Sequence, residues 1–396
     1  MIGGSTLAGE LAALTPWADR APPIAQEERL ARIEKARRLT RDAGADALLI
    51  GAGASLRYFA GVTWGASERL VAMLLPVSGD PILIAPAFEL GSLEAELRID
   101  VKLRLWEEDE SPSDLVADAL RETGAETLAA DPAMAFVLVD RIRHAAPALR
   151  IVDASPIVDG CRMFKSPAEL ALMQQAKNMT LDVQRRAAAI LREGIAASAV
   201  RRFIDEAHRA LGSAGSTFCI VQFGRSTAFP HGLPGDQQLA EGDIVLIDTG
   251  CAVEGYNSDI TRTYVFGQPT DEQRRVWNLE QEAQQAAFDA VEPGRPCEDV
   301  DAAARAVLET AGLGPDYRLP GLPHRTGHGI GLSIHEAAYL VRGDRTPLQQ
   351  GMCFSNEPMI VLPDRFGIRL EDHFHVTETG AAWFTEPSPS IDRPFR

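Results

Sequence analysis

Residues 241–267, EGDIVLIDTGCAVEGYNSDITRTYVFG, decide how the C-terminal half of the chain folds. Ile244, Val245, Leu246 and Ile247 form an apolar run with the character of a buried strand, and it leads straight into Asp248. Gly255 and Asn257 suit a turn, and residues 259–266 resume as an alternating strand, so the segment predicts a hairpin. Pairing its arms symmetrically about Val253 and Glu254 sets Asp248 opposite Asp259, with both side chains on one face of the sheet. Two carboxylates so placed repel each other unless a cation or one shared proton lies between them.

Residues 351–376, GMCFSNEPMIVLPDRFGIRLEDHFHV, repeat the arrangement. An apolar run flanks Glu357, the chain turns through Pro363, Asp364 and Gly367, and symmetric pairing about Asp364 faces Glu357 with Glu371. The two hairpins are too dissimilar in sequence to establish an internal repeat. Between them, in HRTGHGIGLSIHE (324–336), glycines on either side of His328 allow close backbone approach and unusual dihedral angles, which suits an imidazole aimed into a cleft. An isolated Asp at a strand end is ordinarily a turn or capping residue. Four carboxylates in two hairpins beside such a histidine point instead to a metal site, because unpaired buried carboxylates are strongly disfavoured. Oxygen-rich ligation with one imidazole suits Mn²⁺, Co²⁺ or Zn²⁺.

In their order and spacing, YNSDITRT (256–263), GHGIGLSIHE (327–336), NEP (356–358) and GIRLED (367–372) resemble the signature segments of the pita-bread metallopeptidases. That family includes Xaa-Pro dipeptidase (prolidase), aminopeptidase P, methionine aminopeptidase and the metal-free creatinases. The resemblance runs across residues 160–390 and implies two divalent ions, manganese first, with cobalt or zinc as alternatives. It implies Asp248 on one ion, His328 and Glu357 on the other, and Asp259 with Glu371 bridging both. Because all five are present, the creatinase branch is disfavoured.

The implied reaction is hydrolysis of an Xaa-Pro dipeptide by a hydroxide held between the ions, with Glu357 as proton shuttle. His335 and a metal are expected to stabilise the tetrahedral oxyanion, and His231, in FPHGLPG (229–235), to contact the substrate. Proline at the leaving nitrogen carries no N–H, so the site must accept a ring and a tertiary amide. One departure bears on the substrate's far end. Many prolidases and aminopeptidases P carry an Arg four residues after the second histidine, where this chain has Tyr339. A phenol cannot reproduce a guanidinium's bidentate grip on a carboxylate. Arg342, or Arg345 beyond it, is the expected replacement, which puts Tyr339 and Arg342 with His231 and His335 in the substrate-binding set.

The N-terminal part reads as a separate domain, 1–158, ahead of a catalytic domain, 159–396. Residues 29–42 are apolar at Leu30, Ile33, Ala36 and Leu39 and predict an amphipathic helix ended by Gly44. Strands are expected at 47–50, 70–76 and 81–85, so helices and strands alternate as in an α/β domain. ADALLI, LRYFAG and GDPILIAP resemble the creatinase-like N-terminal domain, a layout shared with prolidases and aminopeptidases P and not with methionine aminopeptidases. Beyond 159–165, Ser166-Pro167-Ala168-Glu169 and Thr270 to Gln273 are capping boxes that open helices, and residues 296–311 give another. Helices around hairpins that share a curved sheet make an α+β, pita-bread catalytic domain, with a doubly wound sheet as the alternative. Pro22-Pro23 and small residues make the first two dozen positions a loose arm.

A net charge of −17 with no basic aromatic stripe argues against nucleic acid. The five cysteines have no paired spacing and predict free thiols in a reducing compartment. No signal-like or membrane-length apolar run occurs, so a cytoplasmic enzyme with no membrane partner is expected, and the resemblance implies a homodimer acting on small peptides. The alternatives are an aminopeptidase P-like enzyme for longer Xaa-Pro peptides, a relative turned to a non-peptide substrate, and a non-catalytic binding module.

Overall fold

The computed structural model describes residues 2–395, which divide into two compact units. One is Ile24–Arg162, and the other combines residues 2–23 with the chain from Met163 onward. No helix among the described residues is long and apolar enough to cross a membrane.

In the unit Ile24–Arg162 a six-stranded mixed sheet runs in the order Lys102–Trp106, Ile82–Pro86, Ala72–Pro76, Ala47–Gly51, Thr127–Ala130 and Arg150–Asp153. Ala47–Gly51, Ala72–Pro76 and Ile82–Pro86 are buried at every residue, as strands covered on both faces must be. The expected helix forms over Gln26–Asp42 and buries Ile33 and Ala36 as predicted, but the stripe fails at its first position. Leu30 is 48% exposed, whereas Arg29 and Arg32 are buried. Their guanidiniums donate to the Tyr58 carbonyl at 3.1 and 3.0 Å, and Arg32 stacks on the Tyr58 ring. Two long side chains with fixed acceptors thus take positions that an apolar stripe reserves for leucine.

Residues 2–23, expected to form a loose arm on the first domain, pack instead on the second unit. The helix Leu7–Ala12 is capped by Thr6, and Leu7, Leu11, Leu14 and Trp17 lie against a core containing Phe203, Ile204 and Leu211. The Gly3 and Trp17 amides donate to the carbonyls of Ala188 and Leu211. The helical spacing of those apolar residues carries the segment, and the prolines only end it.

The larger unit is built from antiparallel strands. Ile260–Val265, Ile244–Val253 and Ser216–Phe223 lie side by side in one sheet. A second runs Glu336–Leu340, Gly327–Gly329, Cys353–Asn356, Asp372–Val376, Ala381–Trp383, and Met359–Leu362 pairs with Phe366–Arg369. Antiparallel pairing throughout excludes the doubly wound alternative. Pro167–Ala189 and Asp271–Asp289 open with the two expected capping boxes, with Pro167 in the first turn of its helix, and Cys297–Thr310 follows. An isolated bridge, Thr261 to Glu371, joins the two sheets where the acids lie. Beside it Arg262 and Asp372 form a buried bidentate pair at 3.1 and 2.7 Å, to which Thr385 and Gln284 also donate.

Away from those acids, His208 is wholly buried, with Nδ1 2.8 Å from Ser216 Oγ and Nε2 3.1 Å from Thr180 Oγ1. Burial lowers its pKa to about 4, partly opposed by Asp205. The unfolded chain takes up this proton near pH 6.5 and the folded chain does not, so the neutral ring's contribution is complete above about pH 6.5. It is lost as pH falls from there toward 4, by up to about 1.4 kcal/mol per pH unit. His208→Gln is expected to flatten the denaturation midpoint against pH across that window; parallel curves for variant and wild type would remove His208 as the cause.

Candidate active site

Asp248 lies inside the strand Ile244–Val253, held by buried neighbours Ile244 to Ile247. The hairpin forms, but its turn is Glu254-Gly255, both at positive φ (49° and 81°), a two-residue turn of the I′ kind. That places the turn one residue beyond the predicted centre. Asp248 therefore faces Thr261, and Asp259 falls opposite Gly250, two positions along the same face. The acids are diagonal neighbours instead of a direct pair, and each still acts on the other's ionisation. Gly250 is required here, since a Cβ would sit 1.8 Å from the Ser258 carbonyl oxygen.

In the second hairpin, Cys353–Asn356 against Asp372–Val376 and Met359–Leu362 against Phe366–Arg369 share one register. Glu357 thus lies opposite Glu371, in the gap between the two ladders, and Asp364 turns the chain at φ 60°. Glu371 accepts from Thr261 Oγ1 at 2.7 Å.

His328 is carried by Gly327–Gly329. These glycines provide proximity but not unusual dihedrals, since neither has a positive φ. A Cβ on Gly327 would meet the Ser355 carbonyl oxygen at 2.1 Å, and one on Gly329 the Ala337 oxygen at 2.6 Å. The helix Cys297–Thr310 anchors the approach to His328. Asp301 accepts from Thr326 Oγ1 at 2.7 Å and pairs with Arg305, which donates to the carbonyls of Leu322 and His324. His328 Nδ1 is 2.9 Å from the Gly329 carbonyl oxygen, so this nitrogen carries the proton and Nε2 turns to the acids. Nε2 is 3.1 Å from Glu357 Oε1 and 3.9 Å from Asp259 Oδ2. Ligand atoms of Asp259, His328 and Glu371 all lie within 4.8 Å of one another.

The electrostatics follow from burial. Desolvation pushes Asp259 and Glu371 well above the usual carboxylate range, and neighbouring acids push further: Glu371 and Asp248 on Asp259, Glu357 and Asp248 on Glu371. Burial also raises Asp248, opposed by Arg369, whose Nη2 donates to Asp248 Oδ2. Burial is the largest single influence on Glu357 and acts upward, but the hydrogen bond and charge of His328, with His324 and Arg369 behind them, together outweigh it and hold the carboxyl down at about 2. Asp248 Oδ1, Asp259 Oδ1 and Glu371 Oε1 are buried with no hydrogen-bond partner. Orphaned carboxylate oxygens facing one another around an imidazole nitrogen fit divalent cations with oxygen-rich ligation, the set that Mn²⁺, Co²⁺ or Zn²⁺ accepts.

A cavity of about 450 Å³ opens over this cluster, with Glu357, Arg369, His335, His231, His324 and Arg325 in its wall. The His335 ring stands edge-on to His328, centroids 4.2 Å apart. Partial burial, then the His328 ring, lowers His335 to about 4, so it is neutral near pH 7. Its neighbour Glu336 pairs with the buried Lys165 at 3.0 Å. Arg342 does not join the cavity: its guanidinium is exposed and pairs with Asp316, and Arg345 faces Glu298. Local acids hold both, which corrects the expectation that Arg342 binds substrate. Tyr339 is present instead as the shelf beneath Arg325, whose Cζ lies 4.6 Å from the ring centroid. Sequence reasoning passed over Arg325 and Arg369, although one stands three residues before His328 and the other two before Glu371. All five cysteines are free, and Cys251 and Cys353, near the ligand strands, are buried.

A model of metallopeptidase family M24 matches residues 171–378, and one of the creatinase/prolidase N-terminal domain matches residues 32–164. The probable dipeptidase PepE of Mycobacterium tuberculosis is 38% identical, covering 88% of this chain and 92% of its own. The Xaa-Pro dipeptidase of Lactobacillus helveticus is 31% identical over 91% and 98%. Among solved structures, dipeptidase PepE from Mycobacterium ulcerans superposes with a TM-score of 0.85 at 38% identity, covering 92% of this chain and 97% of that one.

Proposed function

The chain belongs to metallopeptidase family M24, with a creatinase/prolidase N-terminal domain before a pita-bread catalytic domain, and from that membership we propose that it hydrolyses Xaa-Pro dipeptides using two divalent cations. The observation that carries this is the convergence of Asp259, Glu357 and Glu371 on His328, with Asp248 beside Asp259 and buried carboxylate oxygens left orphaned. Asp248 would hold one ion, His328 and Glu357 the other, with Asp259 and Glu371 shared. When bound, such ions polarise a carbonyl and acidify water.

The chain's own residues supply the rest. Glu357, in the cavity wall, takes a proton from the attacking water and returns it to the leaving nitrogen, which in an Xaa-Pro bond has no hydrogen of its own. His335, neutral near pH 7, donates a ring N–H to the developing oxyanion, and His231 contacts the substrate from the exposed rim. Arg369, hydrogen-bonded to Asp248, opposes the burial that raises the pKa of that carboxyl. Manganese is the expected metal, with cobalt or zinc next, and a cytoplasmic homodimer is the expected setting, consistent with five free thiols.

A panel of Ala-Pro, Leu-Pro and an Xaa-Pro-Yaa tripeptide, each with Mn²⁺, Co²⁺ or Zn²⁺, tests this reading. Dipeptides are expected to be cleaved faster than the tripeptide, with Mn²⁺ or Co²⁺ activating most. The reverse ranking would assign aminopeptidase P-like specificity, and no cleavage of any member with any metal would overturn the reading.

A further inference from the structure

The cavity wall carries two guanidiniums, and only one is committed. Arg369 is buried and donates to Asp248, Thr261 and the Pro230 carbonyl. Arg325 is half-buried and has no carboxylate partner among the described residues; its guanidinium rests on the face of Tyr339. Stacking on an aromatic face leaves the N–H edges of a guanidinium available, in the planar fork that matches a carboxylate. The backbone beneath Arg325 is held on both sides. His324 Nδ1 bonds the Arg325 carbonyl at 2.7 Å, Arg305 donates to the His324 carbonyl at 2.6 Å, and Asp301 accepts from Thr326. An unpaired cation on a fixed backbone, in the wall of the cavity that Glu357 also lines, is placed for an anionic group of whatever enters.

We propose that Arg325, braced on the Tyr339 ring, receives the C-terminal carboxylate of the peptide, so that this site selects substrates with a free acid next to the scissile bond. The selecting cation arrives from the loop before His328, and Tyr339 acts as its shelf. This rests on the peptidase reading above and specifies the chemistry at the far end of its substrate.

The test compares kcat/KM for Leu-Pro with that for Leu-Pro amide, using the metal-loaded full chain. Wild type is expected to favour the acid, and Arg325→Ala to shrink that preference about 10- to 100-fold, mainly through KM for the acid, as loss of a charge-assisted contact does. Arg325→Lys restores part of the preference, Tyr339→Phe keeps it because the ring face remains, and Tyr339→Leu reduces it. An unchanged preference in Arg325→Ala, or an equal fall for acid and amide, overturns the proposal. Calorimetric titration of proline and prolinamide into wild type and Arg325→Ala separates the two readings. If wild type cleaves neither peptide, the peptidase reading fails, while an Arg325-dependent advantage of proline over prolinamide still decides this one.

Discussion

Glu357→Gln is expected to lower kcat by a factor of about 10³ or more while leaving the fold intact, since removing a positioned proton-transfer group costs about 10² to 10⁴ and a metal-holding oxygen is weakened with it. The amide retains an acceptor for the Ser355 hydroxyl, now 3.2 Å from the carboxylate, so packing around residue 357 is preserved. What disappears is the negative charge beside His328 Nε2 and any means of carrying a proton. Steady-state kinetics at saturating Mn²⁺, with bound metal measured in parallel, checks this. A variant that turns over at the wild-type rate would remove Glu357 from the chemistry, and one that is slow only because its metal content is low would make it a ligand and not a shuttle.

Glu371→Gln is expected to have opposite effects on the two states of the protein. In the metal-free chain burial, then Glu357 and Asp248, raises the Glu371 pKa. Stability tied to its protonated form is complete below the unfolded value of about 4.3 and is lost as pH rises through the folded value. Neutralising one acid relieves that loss, so at neutral pH the chelated variant should exceed the chelated wild type by roughly 1–2 kcal/mol. With Mn²⁺ the order reverses: wild type gains stability by mass action on a complete site, and the variant gains little and is inactive. Thermal midpoints with chelator and with Mn²⁺ give four values. An equal metal-induced rise in both proteins would show that Glu371 holds no ion.

The parts of the fold that rest on periodicity and capping are legible in the sequence. Ser166 to Glu169 and Thr270 to Gln273 open helices because the box satisfies amides that any helix start leaves bare. The second acid pair was also readable, because the turn about Asp364 is symmetric and the register persists across both ladders. The first was displaced by one turn position, since Glu254 occupies a left-handed conformation that residue preferences assign to other side chains. Tertiary partners hid the remainder. Arg29 and Arg32 are buried because the Tyr58 carbonyl waits for them, and nothing local to residues 26–42 announces that. Arg325 and Arg369 escaped for the same reason, as their roles are defined by Tyr339 and Asp248, far along the chain.

The two turns have a consequence for how this protein tolerates changes in length. Glu254-Gly255 lies roughly 20 Å along the strand from Asp248, at about 3.4 Å per residue, well away from any chemistry. Yet the side-chain period of a strand is two, so one residue inserted there or beside Asp364 exchanges the faces of everything downstream in that arm. Asp259 or Glu371 would then point out of the cluster with no residue of the site altered. These turns can absorb substitutions that keep their dihedrals, but an insertion or deletion in either acts at a distance as a knockout, which makes them poor places for tags, linkers or grafted loops.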